Sequence, residues 1–335
     1  MQDQSYETLR NGVDFLLLSG EMRQLRKIAV QIASSDAPIL LFGETGTGKE
    51  LFARFIHDLG PRVAKPFMSV SCGAHDGASD GGAFAETFFG NEQGAFAGSL
   101  GSRLGCLEKA ADGTLFLGEI AEMPLAKQAD FLRVFTEKHF HRIGGQRELP
   151  FNARLIASSS RSVYDMVQQG TFRADLFYRL NVIPLRLPPL RSRPEEIIPL
   201  SRHFLAVYGD KYDRHGLSLA PQAEQALLDY MWPGNVRELK NLVERLALLA
   251  PDRHIEVKDL PMEITMGFTS SAKGGMQSID NTDDLSLDKA RREAEIRVIK
   301  RAMLRSQGNK SEAARLLGVS ARTLRYKFVE YGLRI

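Results

Sequence analysis

The strongest chemical signal in the 335-residue chain is one short stretch, Gly43-Glu44-Thr45-Gly46-Thr47-Gly48-Lys49. Its glycines let backbone N–H groups wrap an anion, and Lys49 can reach that anion's outer oxygens. A helix starting there would point its positive end at the same charge. Together these features make a phosphate-binding loop; an ordinary glycine-rich turn into a helix has no need of the lysine. Glu50 stands where the general pattern carries Ser or Thr, so the usual hydroxyl ligand to magnesium is absent there.

Such a loop works only between a buried strand and a helix, and both are predicted. Ile39-Leu40-Leu41-Phe42 precedes it, and the helical pattern from Glu50 to Ile56 follows. Residues from about 12 to 187 alternate short apolar runs with amphipathic stretches, as in an α/β sheet protein. Further strands are expected at Phe67–Val70, Thr114–Leu117 and Arg154–Ser158. After the Pro188-Pro189 break, helical spacing takes over at Ile197–Tyr208, Ala223–Tyr230 and Val236–Leu249. Residues 264–284 are rich in Gly, Ser, Thr and Asp without apolar periodicity, which predicts a flexible linker.

Composition removes several classes. With 43% hydrophobic and 25% charged residues the chain should fold, so disordered and fibrous classes are excluded. Its apolar runs fall far short of the ~20 residues that cross a bilayer, so no membrane partner is expected. The first ten residues lack the basic-then-apolar order of an export or import signal. Cys72 and Cys106 have no metal-ligand spacing and read as reduced thiols of a cytoplasmic protein, with no metal site.

The phosphate loop is followed, in order, by GAFAGS at 94–99, GTLFLGEI at 113–120, FRADLFYRLNV at 172–182, LPPLRSRPEEI at 187–197 and WPGNVREL at 232–239. In content and order these motifs resemble the bacterial enhancer-binding proteins, the AAA+ activators of sigma-54 RNA polymerase, over roughly residues 12–262. The resemblance implies an α/β AAA+ P-loop NTPase core at 12–187 with a helical lid subdomain at 188–263. It also implies a homo-oligomeric ring that uses ATP and Mg2+. ATP would be held by Gly43, Glu44, Thr45, Gly46, Thr47, Gly48, Lys49 and Glu50, with Arg237 as the lid arginine that senses the γ-phosphate. Glu119 matches the residue that orients the attacking water. Arg173 and Arg179 match the pair that reaches a neighbouring subunit's nucleotide as arginine fingers. Taken singly, each arginine would read as an ordinary surface or structural ion pair.

The hydrolysis machinery departs from the family pattern in two places. Gly118 stands where a carboxylate usually supports hydrated magnesium, and Ser160 replaces a longer polar sensor, usually Asn. Both changes should weaken hydrolysis more than nucleotide binding, unless Glu119 and another nearby residue compensate. The sigma-contacting loop, Gly94-Ala95-Phe96-Ala97-Gly98-Ser99, has Ala97 in place of a threonine and Ser99 in place of the final alanine. The change at 97 removes a hydroxyl and a stiffening β-branch. The helix before that loop has Thr87 where the family usually carries Glu, and Gly81-Gly82 enrich it in glycine. Two readings follow: an ATPase that remodels sigma-54 polymerase, or a regulator that binds nucleotide without hydrolysing it and works at sigma-70 promoters, as a co-regulator or as a repressor. A non-transcriptional AAA+ remodeller is disfavoured by the C-terminal end.

That end, residues 285–335, holds 13 Lys/Arg against 5 Asp/Glu, whereas the remainder holds 31 against 36. A local basic excess suits either a polyanion partner or a solvated helix face. The pattern decides. Two short helices, Lys310–Leu317 and Ala321–Tyr331, flank the turn Gly318-Val319-Ser320, the signature of a helix-turn-helix. GNKSEAARLLGVSARTLRYKF resembles the small all-α Fis-type domain that ends these activators. In that resemblance Ala313, Ala314, Leu317, Val319, Leu324 and Phe328 are packing positions. Ser320, Arg322, Thr323, Arg325, Tyr326 and Lys327 face double-stranded DNA, with Arg322 best placed to read a base edge. The preceding helix, 285–305, is expected to dimerise. The AAA+ core begins almost at once, so no receiver or sensor domain is expected in front. Control would then come from a regulatory protein in trans, from abundance or from a ligand.

Overall fold

In the computed structural model the described residues are 6–10, 12, 14–73, 82–95 and 101–265, with 299, 303, 306, 310–317, 319, 323–324 and 327–328 near the C-terminus. The chain divides into two units, Met1–Gly275 and Met276–Ile335.

The first unit is built on a parallel five-stranded sheet. Its strands are β1 (Ile39–Phe42), β2 (Phe67–Ser71), β3 (Thr114–Gly118), β4 (Arg154–Ser159) and β5 (Ile183–Arg186). They lie side by side in the order β5-β1-β4-β3-β2. Central β4 is buried along its whole length, as a strand covered on both faces must be. Four strands follow the sequence expectation. The fifth, β5, was not predicted, because Pro184 interrupts the apolar run. It is accommodated because β5 is an edge strand, paired only with β1.

Helices α1 (Gly20–Ile32), α2 (Lys49–Asp58), α3 (Gly82–Phe89), α4 (Cys106–Ala110), α5 (Leu125–Glu137), α6 (Val163–Gln168) and α7 (Ala174–Leu180) belong to this core. Against one sheet face α2 packs Phe52, Phe55 and Ile56. Phe84, Phe88, Phe131 and Phe135 fill the other.

The lid consists of α8 (Pro194–Lys211), α9 (Pro221–Asp229) and α10 (Asn235–Leu249). Its core centres on Trp232, which is 0% exposed, with Leu227, Leu239 and Leu246 around it. The indole Nε1–H donates to the Leu227 carbonyl at 2.8 Å, so burial leaves no unpaired donor. Trp232→Ala is expected to cost about 3–5 kcal/mol, from lost packing plus an orphaned carbonyl. A lowered urea midpoint followed by circular dichroism would register it. Ile264, expected at the start of the linker, is instead 4% exposed and packs into this lid core.

In the second unit α11 (Lys310–Leu316) is described in full. Ile299, Met303, Ala313, Ala314, Leu324 and Phe328 form a small core, with Leu317 partly buried against it. Five of the six expected packing positions therefore meet. Val319 does not: it is 38% exposed. Its N–H returns to the Ala314 carbonyl at 3.0 Å and closes the helix end, so the residue serves the turn with its backbone.

Candidate nucleotide-binding site

Parallel pairing puts the carboxyl ends of three strands next to one another. Ser159 of β4 lies opposite Phe42 of β1, and Ala157 opposite Leu117 of β3. The segments leaving those ends carry Gly43–Lys49, Glu119 and Ser160. The carboxyl edge of an open parallel sheet, where the strand order reverses, is where ligands bind in such folds.

The loop has the geometry its glycines allow. Gly48 takes φ +96° as the N-cap of α2 and makes no side-chain capping bond, so the N–H groups of the first turn are left for a ligand. Lys49 is only 7% exposed. Its Nζ donates to the carbonyls of Gly43 (2.7 Å) and Glu44 (3.1 Å) and pairs with Glu119 Oε1 at 3.0 Å.

Glu119 sits just beyond β3 with φ +51°, a left-handed conformation unusual outside glycine. The Ser160 backbone N–H and hydroxyl donate to its Oε2 at 2.8 and 2.7 Å. Burial opposes its charge, but these bonds and Lys49 outweigh that and hold the carboxyl below its ordinary range. Ser160 therefore spans to Glu119 directly. Gly118 offers no carboxylate beside it. A Cβ there would meet nothing closer than 3.6 Å, so a larger residue has room.

A cleft of about 880 Å³ opens between core and lid, lined by Thr45–Lys49 of the phosphate loop, Glu50, Gly118, Glu119 and Arg237, with Gly43 and Glu44 of the loop off its wall. Glu50 is exposed at its wall. Arg173 and Arg179 do not line this cleft. Arg173 pairs with Asp175 at 2.8 Å, and Arg179 donates to the Phe135 carbonyl at 2.9 Å; both are exposed.

Several residues that hold the loop were not singled out from sequence. Arg191 makes a two-point pair with Glu44, Nη1 to Oε2 at 2.8 Å and Nη2 to Oε1 at 2.5 Å. The Asn235 amide donates to Glu44 Oε2 (3.2 Å) and to the Thr45 carbonyl (3.0 Å), while its Oδ1 accepts from the Leu190 N–H at 2.7 Å. The Arg191 bond, then the Asn235 bond, bring the Glu44 pKa down to about 2. Buried Arg193 donates to the Thr47 carbonyl at 2.9 Å and pairs with Glu196 at 3.0 Å. All four stand inside motifs quoted above, but nothing in their spacing names their partners.

The family models divide the chain in three. Residues 16–186 match the Sigma-54 interaction domain, 191–275 the AAA+ ATPase lid domain, and 290–331 the Bacterial regulatory protein, Fis family. The chain is 40% identical to the Regulatory protein AtoC of Escherichia coli (strain K12), over 94% of this chain and 67% of that protein. It is 38% identical to the Sigma54-dependent transcriptional activator SfnR of Pseudomonas putida, over 90% of this chain and 84% of that protein. This chain belongs to the sigma-54-dependent transcriptional activators. With that membership come transcription regulation, an ATP-binding AAA+ domain and a DNA-binding helix-turn-helix of Fis type. A crystal structure of NtrX from Brucella abortus in complex with ATP resembles it with a TM-score of 0.68 and 31% identity, over 95% of this chain and 69% of that one.

Two other family features are described in part. In the loop expected to contact sigma-54, Gly94 has φ +75° and Ala95 packs against Gly144, where an added Cβ would lie 2.8 Å from that of Ala95. Phe96, Ala97, Gly98 and Ser99 lie outside the described residues. On the recognition helix, Thr323 is exposed and Lys327 partly buried. Ser320, Arg322, Arg325 and Tyr326 lie outside the described residues, as does most of the expected linker and dimerising helix. Among the described residues no helix is long and apolar enough to cross a membrane.

Proposed function

We propose that the chain binds ATP in the core–lid cleft and acts as a DNA-bound oligomer on RNA polymerase carrying sigma-54. The observation that carries this reading is Lys49 and its glycine loop at the sheet's carboxyl edge, with Glu119 and Arg237 on the same cleft. The NtrX complexes with ATP and ADP support ATP as the ligand. Arg173 and Arg179, exposed and off their own cleft, suit a role on a neighbouring subunit's nucleotide in a ring. Gly94–Ser99 would contact sigma-54, and Ser320, Arg322, Thr323, Arg325, Tyr326 and Lys327 the DNA. The division this reading uses is 12–187, 188–263 extended by Ile264, a linker from there to 284, and 285–335. The cytoplasm is the compartment such a regulator needs, with a regulatory protein in trans as a further partner.

The residues present suit the nucleotide better than they suit magnesium. Among the described residues no three His, Cys, Asp or Glu side chains are grouped to hold a metal. Gly118 has no carboxylate, and Glu119 is committed to Lys49 and Ser160. The same observation favours a second reading, a nucleotide-binding regulator that does not hydrolyse ATP and acts at sigma-70 promoters or as a co-regulator or repressor. The two part company in a strain lacking sigma-54. Expression from the chain's target promoters should disappear there, whereas expression that persists would overturn the sigma-54 reading in favour of the second.

A further inference from the structure

Glu44 lies within the phosphate loop, yet its carboxylate bonds to the lid. Both oxygens are engaged by Arg191, and one also by Asn235. Around that pair the loop meets the lid at three more points: Asn235 to the Thr45 carbonyl, Arg193 to the Thr47 carbonyl, and the Val236 N–H to the Gly46 carbonyl at 3.0 Å. Gly46 itself lies so close that an added Cβ would stand 2.2 Å from the Gly234 carbonyl oxygen. Lid groups thus fix three consecutive loop carbonyls, those of Thr45, Gly46 and Thr47. Arg191 and Arg193 are each paired with a carboxylate, Glu44 and Glu196, so these two cations shape the loop and are not spare charges awaiting a ligand.

We propose that Glu44 is a positioning residue: through Arg191 and Asn235 it ties the phosphate loop to the helical lid, so that lid position sets the loop's affinity for nucleotide phosphates. The inference rests on the ATP-binding reading above. It makes the lid a point of control, because anything that shifts α10 or the Leu190–Ser192 turn is felt in the loop before it reaches the nucleotide.

The sign of one substitution separates positioning from simple electrostatics. Glu44→Gln removes a negative charge from beside bound phosphates, so through-space electrostatics alone predicts tighter ATP binding. Positioning predicts weaker binding. The experiment titrates a fluorescent ATP analogue into the full chain as wild type, Glu44→Gln, Arg191→Met, the double variant and Lys49→Ala. Melting temperatures are measured without nucleotide. Each single variant should weaken binding by about tenfold, the size of one lost charge-assisted hydrogen-bond pair. The double variant should be no weaker than the weaker single, because both act through one contact. Nucleotide-free melting should stay within ~2 °C of wild type, since a solvent-exposed pair contributes little to stability. Unchanged or tighter binding by Glu44→Gln, additive losses, or melting losses that track affinity would overturn the positioning role. Lys49→Ala keeps the two failures apart: analogue binding that survives it unchanged sinks the ATP-binding reading itself, whereas binding that it abolishes leaves Glu44→Gln to judge positioning alone.

Discussion

Lys49→Ala is expected to weaken ATP binding by about a hundredfold or more. The ammonium is a buried cation set between the glycine loop and Glu119, and phosphate would take over the bonds it now makes to the Gly43 and Glu44 carbonyls. Two or three charge-assisted hydrogen bonds at roughly 1.5–3 kcal/mol each account for a loss of that size. The variant should still fold, because Glu119 retains two bonds from Ser160 and is 25% exposed, so solvent can reach the carboxylate that has lost its cation. Isothermal titration with ATP, next to a circular dichroism spectrum, would check both parts. Affinity close to wild type would mean that ATP is held somewhere other than this loop.

Gly118→Asp is expected to raise steady-state ATP turnover by about tenfold to a hundredfold, with a smaller change in ATP affinity. The position ends β3 at the cleft floor, next to Glu119, and an added Cβ meets only ordinary contacts, at 3.6 Å from the Val70 carbonyl oxygen and from Phe116. The new carboxylate would give the hydrated cation that accompanies ATP an anchor the present residues do not supply. Turnover should be assayed in the presence of target DNA, under conditions that favour assembly, because Arg173 and Arg179 contribute nothing to their own chain's cleft. A variant that binds ATP but turns over no faster than wild type would place the limiting defect elsewhere, with Ser160 the next residue to restore.

What the amino-acid sequence made legible was local. Ile39–Phe42, the glycine loop and α2 follow one another without a break, so the strand, turn and helix could be read off periodicity and residue type. The three later strands were short apolar runs between polar boundaries and were found for the same reason. β5 escaped because Pro184 reads as a breaker, and only its place at the sheet edge makes it a strand. Val319 was expected to pack because it is apolar and lies between two helices, but its backbone is what the turn uses.

The site divides along the same line. Lys49 and Glu119 were recognisable from their motifs, and the structure brings them to 3.0 Å. The partners that shape the loop were not recognisable, since Glu44 and Arg191 are 147 residues apart and Thr45 and Asn235 are 190 apart. No periodicity connects positions at such distances. Ser160 was read as a shorter replacement for a polar sensor, and its contact with Glu119 depends on β3 and β4 being neighbours, which sheet order alone determines.

Trp232 and Asn235 both hold left-handed backbone, with φ +50° and +53°, on either side of Pro233-Gly234. Each is fully buried and bonded, Trp232 to Leu227 and Asn235 to Leu190 and Thr45. A corner over-determined in this way cannot act as a hinge. Any swing of the lid must therefore carry α9, the corner and the start of α10 as one rigid block, bringing Arg237 along with the residues that grip the loop. Opening the mouth of the cleft and loosening its floor would then be a single movement.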